Sequence, residues 1–145
     1  MTGEFSVAVH GMLYLMQADQ TVSSRKLAEN MCTNPARVRK VMAELGRAGL
    51  VQAREGRGGG GYRAIQDAGK VTLLQILIAL GDTAVPDPWR TGELERECLL
   101  SSGLGALMDD LCRDLNELCR ARLEQITLQS VSDRIFSRTG GEGGE

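Results

Sequence analysis

The chain has 145 residues, of which 42% are hydrophobic and 3% aromatic, so we expect one domain, or a small domain with an appendage, around an aliphatic core. No apolar run approaches the roughly 18 residues of a membrane helix, and no basic stretch precedes an apolar one. We therefore expect no membrane contact, no signal peptide and a cytoplasmic location. The absence of a catalytic triad, a supported carboxylate pair or a nucleotide loop argues against an enzyme.

Charge is distributed unevenly along the chain. Residues 21–65 contain nine Lys or Arg and three acidic residues, a net charge of +6, so the rest of a chain with net charge −2 carries −8. A basic block within an acidic protein is typical of a nucleic-acid binder. The charge pattern therefore predicts double-stranded DNA as a partner.

The first half of the chain begins with helical patterns. Apolar residues at helical spacing predict an amphipathic helix over residues 4–18. Ser23 or Ser24 can cap a short second helix, and Asn34 caps a third helix at about residues 35–47. Two short helices joined by a tight turn are typical of a helix–turn–helix motif.

A glycine-rich hairpin follows these helices. Two extended runs, 50–54 and 62–65, flank four consecutive glycines at 58–61. Glycines have no side chains to pack, but they let the backbone approach another surface closely. With Arg54 and Arg57 beside it, this hairpin has the character of a cationic wing that contacts phosphates and the minor groove.

The second half contains a long helix with an apolar seam. Thr72 caps a fourth helix, and a last short helix follows Thr127. The seam repeats with 4-3-4-3 spacing and consists of Leu104, Met108, Leu111, Leu115 and Leu118. Such a seam is too apolar for solvent, and its simplest partner is the same helix of a second subunit in a homodimer.

The predicted fold is mainly α, a winged helix–turn–helix domain with a two-stranded β-wing and a long C-terminal dimerisation helix. Its parts are a DNA-binding domain at 1–81, a linker loop at 82–103, dimerisation helices at 104–137 and a disordered tail at 138–145.

Several segments occur together in this chain: 23–28 (SSRKLA), 33–40 (TNPARVRK), 45–51 (LGRAGLV), the glycine wing with Tyr62, and 71–76 (VTLLQI). Together they closely resemble the Rrf-two family of bacterial winged helix–turn–helix transcription regulators, most strongly over residues 5–81. The resemblance implies a homodimer that binds an imperfect palindrome and acts as a repressor. Cluster-binding members carry three closely spaced cysteines before the long helix, where this chain has only Cys98, so we expect no cofactor and no metal.

The third helix supplies the central candidates for DNA contact, because the N-terminal part of this helix enters the major groove in a helix–turn–helix. Arginine is the usual reader of guanine edges, whereas the alternative is a solvated helix face. The candidate DNA-binding residues are Ser24, Arg25, Lys26, Asn34, Ala36, Arg37, Arg39, Lys40, Arg54, Arg57, Gly58, Gly59, Gly60 and Tyr62. Arg25 and Lys26 are expected to position phosphates, and either wing arginine can enter the minor groove or only screen phosphate charge.

The signal that controls the protein is left open by the sequence. The candidate redox residues are Cys32, Cys98, Cys112 and Cys119. Cys112 and Cys119 share a helix face beside the seam, which suits either an intersubunit disulfide or small buried residues, and we favour the second. Alternatively, an unknown small-molecule effector binds near residues 82–97 and Trp89. His10 is expected to pack rather than to bind a ligand, and a protein-interaction module without DNA is the alternative function.

Overall fold

A computed structural model of the protein describes residues 1–56, 60–88 and 99–139. In these ranges the chain is mainly helical with a two-stranded antiparallel sheet, which confirms the predicted fold class. The elements in chain order are α1 (Gly3–Ala18), α2 (Ser24–Met31), α3 (Pro35–Arg47), β1 (Val51–Arg54), β2 (Gly61–Ala64), a 3-10 turn (Ala68–Lys70), α4 (Leu73–Ala79), α5 (Leu99–Glu124) and α6 (Leu128–Thr139).

Side-chain caps begin the short helices. Ser23, rather than Ser24, caps α2, since its Oγ accepts a hydrogen bond from the N–H of Lys26 at 3.1 Å. Asn34 Oδ1 accepts from the N–H of Arg37 at 2.8 Å at the start of α3, as predicted. Thr72 forms a reciprocal capping box at the start of α4. These caps satisfy backbone donors that a helix cannot pair internally, so helix starts are readable from the sequence.

One hydrophobic core holds the N-terminal helices together. Its fully buried side chains come from α1, α2, α3 and α4 and include Met12, Leu27, Leu45 and Leu77. Leu128 of α6 joins this core, and α6 packs against α1 and the 3-10 turn. The last helix therefore belongs to the packed N-terminal half, although the sequence pattern grouped it with the long helix.

The long helix differs from its predicted boundaries. Helix α5 begins at Leu99, so the prediction of loop structure for residues 99–103 is wrong. Ser102 donates its hydroxyl hydrogen bond to the carbonyl of Leu99, and this back-bonding lets a serine sit inside a helix. Helix α6 continues to Thr139, two residues into the predicted tail, and residues 140–145 lie outside the described part of the chain.

Two isolated bridges tie distant segments together. The backbone of Val22, before α2, pairs with Tyr62 of β2 through hydrogen bonds of 2.8 and 2.9 Å. Thr72, before α4, pairs with Thr127, before α6. The first bridge fastens the hairpin to the helix–turn–helix, and the second fastens α6 to α4. Among the described helices, none is long and apolar enough to cross a membrane.

Candidate nucleic-acid interface

Helix α3 presents one apolar face to the core and the opposite face to solvent. Val38, Val41, Met42 and Leu45 are buried, which places the core side of the helix. At 100° per residue the opposite side consists of Ala36, Lys40, Ala43 and Arg47, all exposed. Arg37 and Arg39 are also exposed and flank this side. The predicted reading residues are thus all exposed, with Ala36 and Lys40 on this side and Arg37 and Arg39 at its opposite edges.

The start of α2 borders this surface on the Arg39 side. Arg39 Nη1 donates to Ser24 Oγ at 3.5 Å, which joins two candidate DNA-binding residues of different helices. Arg25 is exposed and forms an ion pair with Glu29 at 3.3 Å along α2. Arg25 and Lys26 therefore lie at the edge of the α3 surface, where phosphate contacts are expected.

The start of α1 borders the surface on the other side, which the sequence analysis missed. Lys40 Nζ lies 3.2 Å from Glu4 Oε1, and the guanidinium of Arg37 lies against Gly3, where an added Cβ would come within 2.7 Å of Nη2. Glu4 and Lys40 are 36 positions apart, so helical periodicity carries no signal for this pair. An acidic residue therefore stands beside the cationic side chains of α3.

The wing is anchored by backbone contacts at its base. Arg54 pairs with Gly61 across the two strands, and Arg54 Nη2 donates to Gln52 Oε1 at 3.3 Å. A Cβ on Gly61 would overlap the carbonyl of Val22, and one on Gly60 would come within 2.7 Å of the carbonyl of Arg54. These two glycines are thus required by close backbone approaches inside the protein. The other wing candidates, Arg57, Gly58 and Gly59, lie outside the described residues.

Tyr62 occupies the base of the wing rather than its tip. Its side chain is half-buried against the core, and its backbone makes the bridge to Val22. Arg63 follows it and binds Asp19 at the end of α1 through the backbone carbonyl at 3.3 Å and the carboxylate at 3.6 Å. The base of the wing is therefore held to the end of α1 and to the segment before α2, so its two strands keep a defined position relative to α3.

The predicted seam of α5 is exposed in the single chain. Its five apolar residues, from Leu104 to Leu118, have exposed fractions between 37% and 69%. Leu100 and Leu107 extend this apolar surface. Leu100 precedes the predicted start of the helix at residue 104, and Leu107 lies inside the predicted helix but outside the 4-3-4-3 spacing. All of α5 is described, and none of its residues is buried. Contiguous exposed apolar surface of this kind is typical of an interaction face.

The other side of α5 faces its own chain. The amide of Asn116 binds Val85 at both ends, accepting from its N–H at 2.9 Å and donating to its carbonyl at 3.0 Å. Cys112 and Cys119 are half-buried between this side and the seam, about 10 Å apart along the helix. Cys32 is exposed, adopts a left-handed conformation at the end of α2, and lies in the turn before α3. Cys98 and Trp89 lie outside the described residues.

His10 is exposed rather than packed, which corrects the sequence prediction. Its Nε2 forms a hydrogen bond of 2.9 Å with Asn30 Oδ1 of α2, so the ring has a polar partner on a neighbouring helix. Beside it, Phe5, Val9, Leu13 and Ile135 line an apolar hollow of about 420 Å³ between α1 and α6. Sequence spacing does not indicate this hollow, because it forms between helices distant in the chain.

The chain matches the model of the family Rrf2, described as an iron-dependent transcriptional regulator, over residues 1–134. The chain belongs to the Rrf2 family. A relative in Neisseria meningitidis serogroup A that is named as an HTH-type transcriptional regulator is 30% identical over 145 residues, which cover 99% of this chain and 92% of that protein. The predicted resemblance is confirmed, and this Rrf2 member is a DNA-binding transcription regulator rather than an enzyme.

Solved structures agree with the winged-helix fold of the Rrf2 family. A transcriptional regulator of Lactobacillus plantarum superposes with a TM-score of 0.75 at 22% identity, over 99% of this chain and 93% of that one. IscR of T. potens gives a TM-score of 0.64 at 18% identity, over 100% and 92%. CymR of B. subtilis, named as a global cysteine regulator, gives 0.60 at 18% identity, over 92% and 96%.

The iron dependence in the family's description calls for a ligand set, which the described residues of this Rrf2 member do not supply. Cys112 and Cys119 are two helical turns apart, and Cys32 lies in the helix–turn–helix. Within the described ranges no three His, Cys, Asp or Glu side chains come together to hold a metal ion. The described thiols therefore do not fit an iron–sulfur cluster.

Proposed function

We propose that this Rrf2-family regulator acts as a homodimer on an imperfectly palindromic operator and represses transcription. The observation that carries the proposal is the exposed leucine seam on α5 of a chain that also presents cationic residues on α3. A twofold axis through the seam pairs each residue of one subunit with the same surface of the other. It also duplicates the α3 surface, which suits two half-sites of a palindrome.

The division of DNA contacts follows the positions of the side chains. On α3, Ala36, Arg37, Arg39 and Lys40 read base edges in the major groove. Arg25, Lys26 and the backbone near Asn34 bind phosphates and set the register. In the wing, Arg54 or Arg57 approaches the minor groove, where the glycines permit close contact. A dimer bound in this way covers the promoter and excludes the polymerase.

The test of this proposal is a footprint and gel shift on the DNA upstream of the protein's own gene, at several salt concentrations. A protected palindrome and salt-dependent binding are expected, with a dimer in light scattering at micromolar concentration. No salt-dependent binding to any such fragment favours a protein-interaction module, and a stable monomer contradicts the homodimer.

A matched pair of arginine variants separates base reading from phosphate contact. Arg39→Ala is expected to weaken operator binding by about 1–3 kcal/mol and to relax one base position. Arg25→Ala is expected to weaken all sequences alike and to lower the salt slope by about one. Equal behaviour of the two variants in a titration over varied sequences contradicts these roles.

The exposed thiol of Cys32 supports a second candidate function, an oxidant-responsive regulator, because modification in the turn before α3 disturbs DNA binding directly. The test replaces all four cysteines with serine and measures operator affinity with and without mild oxidant. Loss of affinity in the wild type alone supports the thiol signal. Equal behaviour of both proteins excludes it and leaves a small-molecule effector, for which the hollow between α1 and α6 is the described candidate.

A further inference from the structure

We propose that Glu4 is a specificity-determining residue that reads one G·C base pair together with Lys40. Lys40 donates to the guanine edge, and the carboxylate of Glu4 accepts from the amino group of the paired cytosine. This inference rests on the proposed reading role of α3. Glu4 lies on α1, outside the helix–turn–helix and the wing.

The geometry places a donor and an acceptor side by side at the edge of the α3 surface. Lys40 Nζ and Glu4 Oε1 are 3.2 Å apart, and their side chains are 62% and 33% exposed. Lys40 belongs to the solvent side of α3, next to Ala36 and Ala43, whose small side chains leave the surface open. Both charged groups are therefore accessible to a ligand that approaches α3.

The carboxylate is held in place by the first turn of α1. Phe5, the next residue, is buried in the core, and Gly3, the preceding one, lies against the guanidinium of Arg37. The N–H of Thr2 donates to Asp82 Oδ2 at 2.8 Å, which ties the turn to the segment after α4. A carboxylate on such an anchored turn has a defined position relative to α3, as a base-reading group needs.

The chemistry of the major groove selects one base pair for this arrangement. Guanine presents the acceptors O6 and N7, and its cytosine presents the N4 amino donor beside them, so a Lys–Glu pair matches both. At a base pair that presents a hydrogen-bond acceptor in place of this amino group, the Glu4 carboxylate would face another acceptor, which is unfavourable. The carboxylate also repels DNA phosphates. In addition it pairs with the Lys40 ammonium, which would otherwise neutralise a phosphate. Glu4 therefore disfavours non-cognate DNA.

The experiment compares Glu4→Gln with Glu44→Gln on a panel of operators substituted at every position. Glu44 is a matched control, since it lies on α3 itself and carries the same charge, and the structure gives it no ion pair within the described residues. For Glu4→Gln we expect the preference for one G·C pair to fall roughly fivefold. The slope of log affinity against log salt concentration for non-specific DNA should become steeper by about one. Glu44→Gln removes an equal charge from α3, so it should raise the salt slope similarly but leave the preference for that base pair unchanged.

A second variant, at Lys40, tests whether the two residues read the same base pair. Lys40→Met should lose preference at the same base pair, and adding Glu4→Gln to it should change that preference less than Glu4→Gln changes it in the wild type, because the two residues are in contact and read the same pair. Glu4→Gln that behaves like Glu44→Gln, or that raises affinity equally for every sequence, overturns the inference. Wild-type protein without salt-dependent DNA binding instead overturns the proposed reading role itself, so the two failures are distinguishable.

Discussion

The N-terminal helices and the long helix α5 differ in the exposure of their leucines. Leu27, Leu45 and Leu77 are buried within the chain, whereas Leu111 and Leu118 of α5 stand in solvent. Both sets repeat at helical spacing, so periodicity alone does not distinguish a helix that packs within its own chain from one whose apolar face stays exposed. The N-terminal half thus buries its leucines within one chain, whereas the leucines of α5 remain available for the dimer contact proposed above.

The same substitution in the two regions gives the largest contrast. Leu77→Ala removes a side chain that is 1% exposed and should lower the free energy of unfolding by about 2–5 kcal/mol at any protein concentration. Leu111→Ala, at 46% exposure, should cost the isolated chain about 0.5 kcal/mol or less. Denaturant unfolding at two protein concentrations measures both. A large, concentration-independent cost of Leu111→Ala would mean that α5 is already packed within one chain.

A charge in the seam should separate the subunits. Leu115→Glu places a carboxylate among apolar side chains and should give a monomer in light scattering, with operator affinity reduced about a hundredfold as the two half-sites lose their linkage. Leu99→Glu is the control, because Leu99 is the most exposed of the leucines on this helix and lies off the seam. If both variants dissociate alike, or neither does, the seam is not the interface.

The closed packing of the N-terminal half extends to the wing. Gly61→Ala forces a Cβ onto the carbonyl of Val22 and should cost about 1–3 kcal/mol of unfolding free energy, whereas Gly56→Ala, with open space around it, should change it by about 0.5 kcal/mol or less. Thermal or denaturant melts of the two alanine variants make the comparison. Equal stability would show that the wing is loosely attached to α2.

Asp82, in the segment between α4 and α5, should make the smallest contribution to stability among these residues. Slight burial acts to raise the pKa of Asp82, but hydrogen bonds from the N–H groups of Thr2 and Thr83 outweigh it and hold the pKa below its usual range. A depressed native pKa stabilises the fold above the unfolded value of about 4, and this contribution is lost as the pH falls through the native pKa.

Asp82→Asn should therefore lower the melting temperature slightly at neutral pH and not at all in acid, with Asp87→Asn as an exposed control. A difference between Asp82→Asn and the wild type that persists below the native pKa would show that the carboxylate charge is not responsible.

Local chemistry made much of the fold predictable from the sequence. The caps at Asn34 and Thr72, the two extended runs around the glycine tract and the apolar spacing of α3 depend on residues a few positions apart, and the structure agrees with them. The start of α5 was misplaced because Ser101, Ser102 and Gly103 resemble turn residues. Within this helix the serine hydroxyl of Ser102 instead bonds back to the preceding turn.

The sequence by itself determined the class of the protein, through the basic block, the helix–turn–helix spacing, the glycine hairpin and the leucine repeat. Only the tertiary structure decided which groups meet: Glu4 with Lys40, Val22 with Tyr62, Asn116 with Val85, and Leu128 with the core. The first three pairs join residues that are between 31 and 40 positions apart in the sequence. Periodicity reports only which face of an element is apolar, whereas such pairs depend on how the elements cross, so they have no local signature.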